Sequence, residues 1–185
     1  DRGGGLYLGS AGTMNLERLL INNNTSNDGG GICVQNSGDV IPTITNCTIV
    51  NNVVLDLDDA AAFSGVRGTI TNCIIWGNQG GENVISHPSQ NSTDVSYSNI
   101  DMDLIGGGNG NINATPLFCN ADSSDFTLYD NSPCVGTGKD GTNMGAYEVG
   151  CYYSGPIWHV STSGSDDNVG SEESPFLTLA YAVDN

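Results

Sequence analysis

This sequence predicts an all-β solenoid, a coil of short parallel strands, and three observations predict it. The stretch "TITNCTIVNN" at 43–52 returns as "TITNCIIWGN" at 69–78. A second motif, "GGGLYL" at 3–8, returns as "GGGICV" at 29–34 and more faintly as "AAAFSG" at 60–65. Between the copies lie Gly- and Asn-rich bends, and nothing inside the repeat has the apolar period or the caps of a helix. One unit of 25–28 residues cannot bury its own apolar face, so units of this period stack.

The copies align element by element. The first supplies Leu16, Leu19 and Ile21, the second Ile44, Cys47 and Ile49. The third supplies Ile70, Cys73 and Ile75, the fourth Val95, Ser98 and Ile100. Stacked about 4.8 Å apart, equivalent residues form ladders: Leu16, Ile44 and Ile70 in one column, Ile21, Ile49 and Ile75 in another. Asn24, Asn52 and Asn78 are expected to stack at one bend, since Asn tolerates the left-handed conformation and its amides pair along a ladder. Cys47 and Cys73 should point inward as small buried hydrophobes rather than as a metal or redox pair, and Cys33 likewise. Asn46 falls inside a core strand on this reading.

Composition narrows the partners. The chain has 185 residues, 21 acidic against 4 basic, for a net charge of −17. Such a surface repels nucleic acid and anionic lipid and suits divalent cations or a salty exterior. No apolar run is long enough to cross a membrane as a helix, and the polar opening "DRGGG" is not a signal peptide. With six cysteines, a secreted or cell-surface location is expected.

The segment "ATPLFCNADSSDFTLYDNSPCVGTGKDGTNMGAYEVGC" at 114–151 carries a resemblance. With the repeats before it, it resembles the ending of right-handed parallel β-helix proteins of the pectate-lyase-like superfamily, especially their large secreted, repeat-containing members. The resemblance implies a right-handed parallel β-helix over 1–151. "WHVSTSGSDDNVGSEESPFLTLAYAVDN" at 158–185 resembles instead the opening of such a domain. Region 152–185 then reads as a strand, an acidic loop and a short capping helix from Pro175 to Val183, with Ser174 as N-cap. A beginning that follows an ending fits a tandem array, a circular permutant, or a head-to-tail polymer whose tail caps its neighbour.

Cys119, Cys134 and Cys151 flank the terminal motif. Of three pairings Cys119–Cys151 is expected, stapling the last coil, with the others left open. Asp56, Asp58 and Asp59 in "LDLDDA" are candidate calcium ligands, against the reading of a solvated acidic loop. Asp166, Asp167 and Asn168 have a similar claim, against a glycine-bounded turn. His87 and His159 lack ligand spacing. Asn-Xaa-Ser/Thr matches at Asn23, Asn24, Asn46, Asn91 and Asn113 mean little in an Asn-rich chain, and "GGGNGN" at 106–111 reads as a loop rather than a phosphate cradle.

The resemblance also raises polysaccharide lyase chemistry, which needs calcium and a basic residue beside an acidic glycan. Arg2, Arg18, Arg67 and Lys139 are the whole basic inventory; Arg18 would face the groove beside an inward Leu19, and Arg67 sits in a "GVRG" turn. A glycosidase would need paired carboxylates, for which Asp101 and Asp103 are the candidates. A carbohydrate-binding module would use Tyr7, Trp76 and Tyr97. The expectation is a structural solenoid without catalysis, a spacer, adhesin stalk or filament subunit. Its partner would be another copy of itself or a tandem neighbour, with a glycan as the alternative.

Overall fold

The computed structural model describes residues 2–9, 12–35, 40–65, 68–81, 83–86, 93–101, 108–153, 158–169, 171 and 173–184. They form two compact units, Asp1–Tyr152 and Tyr153–Asn185. In the first, β1 (Leu6–Leu8), β2 (Gly12–Glu17), β3 (Leu20–Asn22) and β4 (Thr25–Ser26) make coil 1. Coil 2 is β5 (Ile32–Val34), β6 (Val40–Thr45), β7 (Thr48–Val50) and β8 (Val53–Val54). Coil 3 holds β9 (Ala60–Ser64), β10 (Thr69–Thr71) and β11 (Ile74–Trp76); coil 4 holds β12 (Asn83–Ile85), β13 (Asp94–Ser96) and β14 (Asn99–Ile100). Each strand pairs with its equivalent in the neighbouring coil, giving parallel sheets β1-β5-β9-β12, β2-β6-β10-β13 and β3-β7-β11-β14 and a shorter β4-β8 pair. Ile112 bridges Asn99 and begins a fifth coil.

The ladders run in the register of the repeat. Leu16 lies against Ile44, Ile44 against Ile70, and Ile70 against Val95. Ile21, Ile49, Ile75 and Ile100 form the second column. Strand alternation turns these side chains inward, and Ile44, Ile49, Ile70 and Ile75 are fully buried. Each contributes about 1.5–3 kcal/mol by leaving water. Leu19 departs from the expected pattern: it is 37% exposed, because among the described residues coil 1 is paired on one side only.

The bends also correct the expectation. The left-handed residues are Arg18, Asn46, Asn72 and Tyr97 at one corner, and Asn23, Asn51 and Gly77 at the next. Asn46 therefore turns the chain between β6 and β7 rather than lying in a strand. Asn24, Asn52 and Asn78 each follow the left-handed residue and are not themselves left-handed. The bend residue points its side chain out; the next one points in.

The terminal motif is a lateral clamp, not an end cap. β15 (Phe118–Asn120), β16 (Asp125–Tyr129) and β17 (Val149–Cys151) form a small sheet. Leu128, Met144 and Cys134 pack with Phe118 against Ile74 and Trp76, on the outward face of β11. From there residues 134–148 run back across the coils. Asn99 in coil 4 donates to Cys134 Sγ at 3.1 Å. In coil 3, Asn72 accepts the Lys139 N–H at 2.7 Å and donates to Thr142 Oγ1 at 3.0 Å. In coil 2, Asn46 donates to the Asn143 carbonyl at 3.1 Å, and Thr48 Oγ1 accepts the Ala146 N–H at 2.9 Å. Arg18 in coil 1 lies 3.5 Å from Glu148. The strap thus touches all four coils. The Cys119–Cys151 disulfide forms, but it joins β15 to β17 beside the solenoid rather than stapling the last coil.

In the second unit Val160 bridges Phe176 in parallel, and Phe176 packs between Trp158 and Tyr181 with ring centroids 5.5 and 5.1 Å away. The helix α1 spans Leu179–Asp184, four residues later than Pro175 suggests. Thr178 caps it, its Oγ1 accepting the Tyr181 N–H at 3.3 Å. Asp166 fixes the approach: it accepts the Leu177 and Thr178 N–H groups and the Thr178 hydroxyl at 2.9–3.0 Å.

Candidate functional site

A left-handed bend turns the following N–H out of the sheet ladder, and a buried N–H without an acceptor costs about 1–3 kcal/mol. The chain meets this at both corners in one way. The inward residue after the bend accepts, through its side chain, the equivalent N–H of the coil before. Asn52 Oδ1 takes the Asn24 N–H at 3.1 Å, and Asn78 Oδ1 takes the Asn52 N–H at 3.0 Å. At the other corner Cys73 Sγ takes the Cys47 N–H at 3.4 Å, Ser98 Oγ the Cys73 N–H at 3.0 Å, and Asn111 Oδ1 the Ser98 N–H at 2.9 Å.

The same side chains donate back. Asn52 and Asn78 reach the Ile21 and Ile49 carbonyls, both at 2.9 Å. Cys47 and Cys73 thiols reach the Leu16 and Ile44 carbonyls at 3.5 and 3.7 Å. The two cysteines are therefore polar members of a ladder as well as small buried groups. Burial pushes the Cys73 and Cys134 thiols up, so both stay neutral; Cys73 donates to the Ile44 carbonyl, whereas Cys134 accepts from Asn99. Ser98 holds the place that the repeat alignment gives it, while Asn111 is a ladder member that motif matching misses, since it shares only the place after a bend.

The other candidates do not converge. Asp56 Oδ1 accepts the Asp58 N–H at 3.1 Å, and Asp59 Oδ1 the Ala60 N–H at 2.7 Å. Asp58 and Asp59 do line a cleft with Arg2, Asp28, Cys33 and Ser64, where Arg2 pairs with Asp28 at 2.9 Å. Among the described residues no three His, Cys, Asp or Glu side chains are grouped to hold a metal ion. Asp166 is engaged with its own turn, and Asp167 is exposed beside it. Arg18 turns outward at a bend, not into a groove beside Leu19. Lys139 belongs to the strap. Arg67, His87, Asn91 and Asp103 lie outside the described residues, and His159 contributes its carbonyl to the Phe176 N–H at 2.8 Å.

The aromatic candidates separate as well. Tyr7 donates to Gln35 at 3.2 Å on the outward side of β1, Trp76 is partly covered by the strap sheet, and Tyr97 accepts from Asn109 at a bend. Asp101 is half-buried; its Oδ2 accepts the Gly77 N–H, while its Oδ1 is buried without a partner among the described residues. Burial holds its carboxyl above the ordinary range, opposed by the Gly77 N–H.

What remains distinctive is the outer face of coil 1. β1, β2, β3 and, in its pair, β4 are edge strands. Leu6, Met14 and Leu16, which pack on the core from this coil, are only partly buried. Compared with protein-family models, curated proteins and solved structures, the chain gives no match. The geometry defines a class, a parallel β-solenoid clamped along one side, and no family match supports the pectate-lyase-like resemblance.

Proposed function

We propose that the chain is a structural, non-catalytic β-solenoid module that works outside the cell and assembles end to end, as a filament or adhesin-stalk subunit. The observation that carries this reading is the in-register stacking of equivalent parallel strands, with buried apolar and Asn ladders running from coil to coil. A stack of this kind extends by the same pairing that builds it. Charged groups elsewhere support the non-catalytic side. Asp56, Asp59, Asp166, Arg2 and Arg18 are engaged with the chain's own N–H groups or with a carboxylate. The Cys119–Cys151 bridge suits an oxidising compartment.

Negative-stain electron microscopy, with a turnover assay on acidic polysaccharides in calcium, tests the reading. Four coils stack to only about 20 Å, so end-to-end assemblies would stand out as particles many times longer, and no unsaturated uronate would appear. Compact monomers, or turnover lost on Arg18→Ala, would contradict it.

A further inference from the structure

We infer that the cleft beside Trp76 binds a small organic cation, a quaternary ammonium group on a short hydroxylated chain. The cleft lies where the strap sheet meets the side of coils 2 and 3, within one chain. Its walls, its rim and its charge each point to that ligand.

Trp76, on the outward face of β11, and Phe118 and Phe126, in β15 and β16, wall a cleft of about 330 Å³. That volume is within the range of small-molecule sites. Phe118 and Phe126 meet edge to face, their planes 88° apart and their centroids 5.1 Å apart, so the cleft is bordered by rings in perpendicular orientations. The face of an aromatic ring attracts a cation through its quadrupole, whereas a neutral apolar group of the same size gains burial alone.

The rim is polar and unengaged. Asn51 and Thr115 line the cleft as exposed residues, and neither side chain has a hydrogen-bond partner among the described residues. Both are free to bond a ligand hydroxyl. Leu117 lines the same space, 37% exposed and left-handed at φ 52°, a conformation that bulky side chains rarely adopt. Its carbonyl accepts the Tyr129 N–H at 3.0 Å, and the Pro116 carbonyl before it accepts the Ser132 hydroxyl. The chain around Leu117 thus holds it in a strained state, and such strain concentrates at ligand clamps.

The field favours a cation. No charged side chain lines the cleft, but carboxylates flank it. Asp122 follows the lining residue Ala121 and Asp125 precedes Phe126, both exposed; Asp101 accepts the N–H of Gly77, the residue after Trp76. Asp125 also accepts from Thr127, a neutral partner that leaves its charge in place. The described basic residues stand elsewhere. Arg2 pairs with Asp28 in the other cleft, Arg18 turns out at the bend before β3, and the Lys139 N–H is held by Asn72 at the bend before β11. On a chain of net charge −17, an anionic ligand is repelled from this place and a cation is gathered to it.

Isothermal titration calorimetry at fixed ionic strength tests the assignment on the unchanged chain. Choline is compared with neohexyl alcohol, which puts tert-butyl where choline has trimethylammonium, and with phosphocholine. The expected result is saturable choline binding, about tenfold weaker binding of neohexyl alcohol, and weaker binding of phosphocholine, whose phosphate the acidic surface repels. Trp76→Leu and Phe118→Leu should each lower the choline affinity about three- to tenfold. Equal binding of choline and neohexyl alcohol would mean that the cleft reads apolar shape alone, and would overturn the inference. So would the absence of saturable choline binding, tighter binding of phosphocholine, or choline binding unchanged in both variants. The comparison of isosteres needs no substitution, so it decides the matter even where a variant fails to fold.

Discussion

Coil 2 and coil 1 are built from the same four strands in one register, yet they end in different states. Ile44 is fully buried while Leu16, its partner below, is half-covered; Cys47 is 1% exposed and Leu19 37%. Asn52 is sealed with both amide atoms engaged, whereas Asn24 has an open acceptor. The difference comes from neighbours and not from local propensity. A solenoid residue is complete only between two coils, so an end coil keeps its shape and lacks half its contacts.

Breaking the comparison at its strongest point gives the largest effect. Ile44→Ala should cost about 3–5 kcal/mol in urea unfolding, by lost burial and a cavity, and Leu16→Ala clearly less. Equal losses would mean that coil 1 is as well packed as coil 2. The strap comes next. Removing the bridge by Cys119→Ser with Cys151→Ser should cost about 4 kcal/mol by the loop-entropy argument, while the far-ultraviolet dichroism of the coils persists at room temperature.

The polar ladder is third. Asn52→Ala strands the Asn24 N–H and the Ile21 carbonyl and should cost about 2–3 kcal/mol. Asn24→Ala removes no acceptor that is in use and should cost under about 1 kcal/mol in the isolated chain; assembly would widen that figure. The smallest effect concerns Asp101. Its carboxyl is held up by burial, so the folded chain binds this proton more tightly than the unfolded chain does. Stability present at low pH is lost as pH rises through the carboxylate range. Asp101→Asn should therefore raise the melting temperature slightly at neutral pH and not at all in acid.

The columns Leu16–Ile44–Ile70–Val95 and Ile21–Ile49–Ile75–Ile100 were legible because a repeated burial pattern repeats its letters. The bends were legible only to within one residue. In "NN" at 23–24 and 51–52 nothing tells which Asn turns and which stacks. The third copy, Gly77-Asn78, does tell, because Gly takes the left-handed place at no steric cost. The terminal segment and its Cys119–Cys151 bridge were legible, but the strap's path along the coils was not. It is made once, and its anchors Asn46 and Asn72 look like repeat letters, although they hold residues about 70–100 positions away. The α1 start was misjudged because Ser174-Pro175 is a sound local signal that Asp166, from across the turn, overrides.

Concentration-dependent sedimentation velocity tests the central claim most directly. End-to-end self-association predicts a sedimentation coefficient that climbs with concentration, with the rising frictional ratio of a lengthening rod. A single species of 19.2 kDa across the whole range would contradict it.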